Sequence, residues 1–398
     1  MRALLLESLH PKATEILTAA GISVENHAGA LDEDELIDAL RGVQLLGIRS
    51  KTQLTERVIE ASRDLIAVGA FSIGTNQIDL GAAARHGIAA FNAPFSNTRS
   101  VVEMAVAEMI SLTRRLADHT RSLHSGVWSK SAAGAHEIRG RTLGIVGYGN
   151  IGSQLSVIAE ALGMNVIFYD NAEKLALGNA TRMPSLEALL VEADVVTLHV
   201  DGRAGNSGFF GRAQFEAMKP GALFLNLSRG FIVDVEALKD GLGSGHIGGA
   251  AIDVFPEEPK KTGDPFTSPL QNMPNVILTP HIGGSTEEAQ RDIGIFVATR
   301  LRDYVFNGST SLSVNLPNLS LDQVQGSHRI AHLHANVPGV LAAVNQVFAA
   351  HDTNIDAQLL GTRGELGYVV TDVAAGVADD AVAALESMPG TVRLRVLS

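Results

Sequence analysis

The first ninety-odd residues alternate short apolar runs, at 3–6, 23–25, 43–48, 65–68 and 88–92, with stretches at 12–20 and 32–40 whose apolar positions recur at helical spacing. Strands alternating with helices predict an open parallel sheet with short connections. Residues 100–123 read as one long helix. A strand, turn, helix and second strand then occupy 141–170, and buried-strand runs follow at 194–200, 222–227, 249–254 and 276–278. Together these make six strands, the count of a complete doubly wound sheet. A helix over 286–306 returns the chain to the first domain, which is therefore discontinuous. Residues 307–326, rich in Ser, Asn, Pro and Gly, read as a connector. Beyond them the order becomes strand, helix, strand, strand, helix, strand, at 328–334, 339–350, 355–361, 367–373, 379–387 and 391–397. That is a ferredoxin-like βαββαβ domain. The expected division is 1–97 with 285–320, then 98–284, then 327–398.

Composition permits this α/β reading and narrows the partners. A chain of 398 residues, 45% hydrophobic and 19% charged, forms globular domains without disulfides or metals. The net charge of −12 opposes nucleic-acid and anionic-membrane binding, since no basic stripe offsets the repulsion. Cysteine is absent, which removes thiolate catalysis and thiolate metal sites. Leu4-Leu5-Leu6 is cut short by Glu7, too soon for a signal-peptide core. The apolar run at 101–112 carries Glu103 and Glu108, so it does not read as a membrane span. A cytoplasmic protein is the expectation.

The stretch RTLGIVGYGNIGSQLSVIAEALGMNVIFYD at 141–170 carries the first chemistry. Gly147 allows a sharp turn, Gly149 removes a side chain that would keep a pyrophosphate off the backbone, and Gly152 lets the helix pack close to its strand. Asp170 ends the second strand, where a carboxylate accepts hydrogen bonds from both ribose hydroxyls and repels a 2′-phosphate. The cofactor expected is NAD rather than NADP.

Three later segments place polar residues at predicted strand ends, where ligands of such sheets bind. Asn226-Leu227-Ser228-Arg229-Gly230 offers a guanidinium fork suited to a carboxylate or 2-oxo acid. The segment Ala251-Ile252-Asp253-Val254-Phe255-Pro256-Glu257-Glu258-Pro259 offers carboxylates, and Leu278-Thr279-Pro280-His281-Ile282-Gly283-Gly284 offers an imidazole. A histidine takes a hydroxyl proton as hydride leaves the same carbon, and a carboxylate bonded to it raises its pKa. Arginine, carboxylate and histidine suffice for oxidation of a 2-hydroxy acid.

At these residues the chain resembles the D-isomer-specific 2-hydroxyacid dehydrogenase family, in its branch with one C-terminal ACT domain. The resemblance covers essentially the whole chain. It rests on Gly147-Tyr148-Gly149-Asn150-Ile151-Gly152, Ser228-Arg229-Gly230, the run at 250–259 and Thr279-Pro280-His281-Ile282-Gly283-Gly284-Ser285-Thr286. It implies a nucleotide-binding Rossmann domain inserted in a flavodoxin-like substrate domain. It also implies that Arg229 orients substrate, Glu258 rather than Glu257 partners the histidine, and His281 is the acid/base. The motif residues 147–152, Asp170, His199, Ser228, Asp253 and Gly284 would bind NAD.

Two further motifs narrow the substrate by the same resemblance. Gly47-Ile48-Arg49-Ser50-Lys51-Thr52 and the Asn92–Ser100 segment, with Asn97, match enzymes of the branch that act on a phosphorylated substrate. Arg49, Ser50 and Asn97 would then hold a phosphate, and Ile73 and Gly74 would supply backbone donors near the substrate carboxylate. The implied reaction is oxidation of D-3-phosphoglycerate to 3-phosphohydroxypyruvate, the first step toward serine. The alternatives are reduction of 2-oxoglutarate or glyoxylate, and a non-catalytic NAD-responsive corepressor. In the ACT-like tail, His334, Asn336 and Asn354 match serine-binding positions, so L-serine is the expected effector. His332 and His334 share a strand face, and two histidines without a third ligand do not make a metal site. Trp128, the single tryptophan, lies on a connector; the resemblance implies a subunit contact in a homotetramer, and packing within the chain is the alternative.

Overall fold

The structure, a computed structural model, describes residues 1–259, 263–322, 324, 326–374 and 377–397. It packs as two compact units, residues 1–96 with 290–398, and residues 97–289.

In the first unit β1 (Arg2–Leu5), β2 (Ser23–Asn26), β3 (Leu45–Ile48), β4 (Ala67–Ala70) and β5 (Ala89–Phe91) form a parallel sheet in the order β2-β1-β3-β4-β5. These are the five strands expected from the apolar runs. Strands β3 and β4 and the edge strand β5 are buried throughout because helices cover both faces. The helices begin at side chains that accept the first free N–H groups: Asp32 and Glu35 close a capping box, and Thr55 and Asp79 cap their own helices.

The second unit holds a seven-stranded parallel sheet. It comprises β6 (Thr142–Val146), β7 (Asn165–Tyr169), β8 (Thr181–Arg182), β9 (Val195–Leu198), β10 (Ala222–Asn226), β11 (Ile247–Ile252) and β12 (Val276–Leu278), in the order β12-β11-β10-β9-β6-β7-β8. Six were expected; the seventh, β8, is a two-residue edge strand too short to show periodicity. The long helix expected at 100–123 is two helices, Thr98–Thr113 and Leu116–His124. Arg115 breaks it by taking a left-handed conformation, φ 53°, with its guanidinium bonded to Asp118 at 2.7 Å. The first of these helices is the buried one, and its Val101, Ala105, Met109 and Leu112 share a core with Leu225, Leu227 and Ala251 of the sheet.

The tail forms an antiparallel sheet of β13 (His328–Ala335), β14 (Ile355–Arg363), β15 (Leu366–Val373) and β16 (Thr391–Leu397), in the order β14-β15-β13-β16 with two helices between the strands. The βαββαβ order is as expected, but the tail is not detached from the first unit. One face packs on its own helices through Ile330, Val344, Phe348 and Leu385. Through the other face Ala331, Leu333, Tyr368, Val370 and Leu397 share a core with Val297, Leu301, Tyr304 and Leu316. The expected connector takes part in this packing. Asn315 accepts the Ala90 N–H and donates to the Ile88 carbonyl, both at 2.8 Å, so the segment completes the edge of β5. Polar residues that suggested a linker are buried hydrogen-bonding groups.

Candidate active site

The glycine turn has the geometry a dinucleotide requires. Gly147 has φ 94°, and a side-chain carbon there would stand 2.6 Å from the His199 carbonyl oxygen. At Gly152 an added carbon would collide with the Gly147 carbonyl, whereas at Gly149 it would meet nothing within 4 Å. The turn is thus tight where it must pack and open where a phosphate must approach. The helix Asn150–Ala161 begins with Gly149 as its N-cap and no side-chain cap, which leaves its first N–H groups for an anion. Asp170 follows β7 directly. Its Oδ2 accepts the Tyr148 N–H at 2.8 Å and its Oδ1 accepts the Ala172 N–H at 2.9 Å, which ties the carboxylate to the turn. Tyr148 stacks on Phe168 and Ile151 packs in the same core. His199 is held neutral, its pKa lowered by burial to about 4, and its Nδ1 is buried without a partner. An orphaned ring nitrogen at the end of β9, next to the glycine turn, is the mark of a site shaped for a polar group. The residues present fit NAD.

Beyond β10, Asn226 organises the arginine turn: its Oδ1 accepts the Ser228 N–H and hydroxyl at 3.1 and 2.8 Å, and its amide donates to the Arg229 carbonyl at 3.0 Å. Gly230 lies flat on the Phe255 backbone, where any side chain would collide. Burial lowers the Arg229 pKa, while the charges of Glu258 and Asp201 oppose the shift. Its Nη1 donates to the Ser228 carbonyl at 2.6 Å, and among the described residues no carboxylate lies within ion-pair distance, so its other N–H groups are available to an anionic ligand.

His281 follows β12 on a loop held by one residue. Asp253 accepts the Thr279 hydroxyl at 2.7 Å and the Ile282 and Gly283 N–H groups at 2.8 Å, and its own carbonyl accepts the His281 N–H at 2.8 Å. Expected as a cofactor contact, Asp253 here spends its carboxylate on the histidine loop. His281 itself is left-handed, φ 53°, a conformation this loop maintains. Its Nδ1 lies 2.9 and 3.1 Å from the two Glu258 oxygens, and Glu258 also accepts the Phe255 N–H at 3.1 Å. Of the two adjacent glutamates, Glu258 makes the pair. Its hydrogen bond raises the His281 pKa against the opposing effect of burial. Burial pushes Glu258 upward, but the bond and charge of His281, the Phe255 N–H and the Arg229 charge together hold it below its ordinary value. With Nδ1 committed to Glu258, Nε2 is the atom left to exchange a proton with a ligand. On the same unit Asn97 precedes the helix Thr98–Thr113, its Oδ1 buried without a partner and its amide filling the space a side chain at Gly284 would need.

The remaining expected substrate residues belong to the first unit. Arg49 and Ser50 follow β3, and Ile73 and Gly74 follow β4. A relay that the sequence did not reveal joins the two loops: Gln77 donates to the Arg49 carbonyl and to the Ser72 hydroxyl, which in turn donates to the Gly74 carbonyl at 2.8 Å. Asn92 secures the second loop by donating to the Ile73 carbonyl at 2.5 Å. In the tail, Asn336 and Asn354 are exposed, but His334 is buried, its ring occupying the space over Gly367. His334 does not present its ring to solvent. Among the described residues no cluster of three potential metal ligands occurs.

Glu108, which interrupts the apolar run of its helix, is buried near these residues. It is 5% exposed, with neither carboxylate oxygen partnered. Burial, with the Asp253 charge added, pushes its pKa up to about 8 from an ordinary 4.5. The folded protein therefore holds a proton there that the unfolded chain has released, and stability falls as pH rises from 4.5 toward 8. Glu108→Gln removes this titration at constant shape. Thermal denaturation should show the variant gaining on the wild type at pH 8 but not at pH 5, by roughly a few degrees. An equal difference at both pH values would show that the group does not titrate in this range.

The family model described as D-isomer specific 2-hydroxyacid dehydrogenase, NAD binding domain, matches residues 106–283, and one described as an AHAS small subunit-like ACT domain matches 330–393. The D-3-phosphoglycerate dehydrogenase of Escherichia coli K12 is 51% identical over 400 residues, covering 100% of this chain and 97% of its own. D-3-phosphoglycerate dehydrogenase 2 of Saccharomyces cerevisiae is 47% identical over 94% of this chain and 82% of its own. Among solved structures, the D-lactate dehydrogenase of Aquifex aeolicus complexed with NAD and lactic acid superposes with a TM-score of 0.67 at 25% identity, covering 76% of this chain and 95% of its own. With half its residues shared with such relatives along its full length, the chain belongs to the D-isomer-specific 2-hydroxyacid dehydrogenase family, in the branch whose members carry the name D-3-phosphoglycerate dehydrogenase.

Proposed function

We propose that the protein oxidises the 2-hydroxyl of D-3-phosphoglycerate to give 3-phosphohydroxypyruvate, with NAD as cofactor. The observation that carries the chemistry is the His281–Glu258 pair at 2.9 Å, on the unit that holds the glycine turn and the unpaired Arg229. Arg229 orients the substrate carboxylate and polarises the carbon–oxygen bond. His281 accepts the hydroxyl proton at Nε2 while Glu258 stabilises the imidazolium. NAD, held by residues 147–152 and Asp170, supplies the hydride acceptor. Arg49 and Ser50 bind the phosphate, and the backbone at Ile73 and Gly74 faces the carboxylate end. The names of the full-length relatives support this substrate over 2-oxoglutarate or glyoxylate.

The assay that tests the reading measures NADH consumption with 3-phosphohydroxypyruvate, 2-oxoglutarate and glyoxylate. Loss of a charge-assisted hydrogen bond costs about 1.5–3 kcal/mol. Arg49→Ala should accordingly raise KM for the phosphorylated substrate by about tenfold to a hundredfold and leave the unphosphorylated acids unchanged. A uniform change would remove the phosphate from the account of Arg49.

Serine is the effector we infer, bound between paired tails through the exposed Asn336 and Asn354. It must favour the less active arrangement to inhibit. Millimolar serine in the same assay tests this, and unchanged turnover would refute it. Trp128 is 81% exposed, and Leu123 and Val127, near it in sequence, are exposed as well, so most of its ring is left uncovered. It supports assembly into a homo-oligomer, a tetramer by the family resemblance, and light scattering of Trp128→Ala checks the contact. No helix among the described residues is long and apolar enough to cross a membrane, which accords with the cytoplasmic location we propose.

A further inference from the structure

Just past β1, Glu7 and Ser8 both take the left-handed conformation, φ 64° and 51°, which residues other than glycine seldom hold. The turn buries the Glu7 carboxylate beneath residues 49–52. There it accepts four successive backbone N–H groups: Oε1 from Arg49 at 3.2 Å and Thr52 at 2.9 Å, Oε2 from Ser50 at 3.2 Å and Lys51 at 3.1 Å. Successive N–H groups converging on one point form a concavity of the kind that binds anions. In this protein a side chain fills it. The cationic heads of Arg49 and Lys51, by contrast, have no carboxylate within ion-pair distance among the described residues.

We propose that Glu7 is a positioning residue for substrate: an internal carboxylate that occupies the backbone anion nest at 49–52. The loop then presents its side chains, and not its amides, to the anionic end of the substrate. The inference rests on the reading of Arg49 and Ser50 as the phosphate-binding pair. Its physical content is the count of acceptors. A carboxylate satisfies all four N–H groups, two on each oxygen, whereas Gln turns an NH₂ toward two of them in either orientation. Aspartate keeps the acceptors but is one methylene too short to reach all four. Alanine leaves the nest open to an exogenous carboxylate.

The test compares Glu7→Gln, Glu7→Asp and Glu7→Ala with the wild type in steady-state kinetics, with and without added acetate, and in amide hydrogen exchange at 49–52. Glu7→Gln should raise KM for 3-phosphohydroxypyruvate about tenfold, with kcat within about twofold, because the loop loses its shape while the acid/base pair is untouched. Glu7→Asp should fall between Gln and wild type. Acetate should lower the raised KM of Glu7→Ala and leave the wild type unchanged, and exchange at 50–52 should quicken in the Gln and Ala variants. KM within twofold of wild type in Glu7→Gln, alongside faster exchange, would overturn the proposal, because the tie would then be structural only. Should Glu7→Ala fail to fold, the graded response of Gln and Asp decides the matter. Arg49→Ala separates the two claims: if it raises KM and Glu7→Gln does not, the phosphate reading stands and the Glu7 inference falls. If Arg49→Ala leaves KM unchanged, the phosphate reading falls, and exchange together with acetate binding still reports whether Glu7 fills the nest.

Discussion

His281→Ala should lower kcat by roughly 10²- to 10⁴-fold, the usual contribution of a positioned acid/base, with little change in the affinity for NADH. The affinity is spared because the residues proposed to hold the nucleotide, 147–152 and Asp170, are tied together through the Asp170 carboxylate, whereas the His281 side chain is bonded to Glu258. The companion variant Glu258→Gln tests the pKa argument. Its hydrogen bond and charge raise the His281 pKa, so removing the charge lowers it. In the reductive direction the imidazolium must donate a proton, so the rate falls as pH rises through the His281 pKa, and Glu258→Gln should move that fall to lower pH. In the oxidative direction the neutral imidazole must accept, so the rate rises through the same pKa, and that rise should also move to lower pH. Both limbs move together because one group is responsible. Glu257→Gln should leave them in place, and a shift with Glu257→Gln alone would reassign the partner.

The parts of this molecule that the sequence revealed are those where one periodicity dominates. Strands β3, β4, β5 and β10 are buried along their whole length, so each reads as an unbroken apolar run. The glycine turn was legible because its residue types have steric reasons that hold in any chain: Gly147 and Gly152 both stand where a side chain would strike backbone. The pair His281–Glu258 was legible as residue types, and the choice of Glu258 over Glu257, which rested on the family resemblance alone, is the one the fold makes. What escaped was set by tertiary hydrogen bonding. Glu7 looked like the end of an apolar run, Gln77 fell outside every motif, and Asn315 looked like part of a linker, and each is committed to backbone groups dozens of residues away or more. Side chains that satisfy distant backbone leave no local pattern. The break at Arg115 escaped for a related reason, because nothing in helical propensity marks a left-handed arginine whose charge is taken by Asp118 one turn on.

Breaking the Arg329–Asp372 pair should destabilise the first unit by about 3–5 kcal/mol, the usual cost of leaving one partner of a buried ion pair alone. Arg329 is fully buried. Its Nε and Nη2 bind the two Asp372 oxygens at 2.6 and 2.7 Å, and its Nη1 donates to the carbonyls of Asn307 at 2.9 Å and Leu321 at 2.7 Å. Asn307 is the last residue of the helix Glu287–Asn307, where carbonyls lack intrahelical partners and a cation is favoured. One guanidinium therefore joins the tail sheet, the end of the helix and the segment between them. Arg329→Met leaves the buried Asp372 carboxylate with only the Val324 N–H as donor and takes a donor from the Asn307 and Leu321 carbonyls, whereas Asp372→Asn keeps the size, loses the charge and turns an NH₂ toward one guanidinium N–H. Chemical denaturation should rank the loss as Arg329→Met greater than Asp372→Asn, and limited proteolysis at 307–326 should quicken in the same order. The double variant Arg329→Met/Asp372→Leu separates the charge from the connections. If the pair itself sets the stability, the double variant recovers most of the loss, because apolar replacement of a buried pair is often neutral. If it remains as unstable as Arg329→Met, docking of the tail depends on the bonds to Asn307 and Leu321, and the carboxylate serves to keep the guanidinium aimed at them.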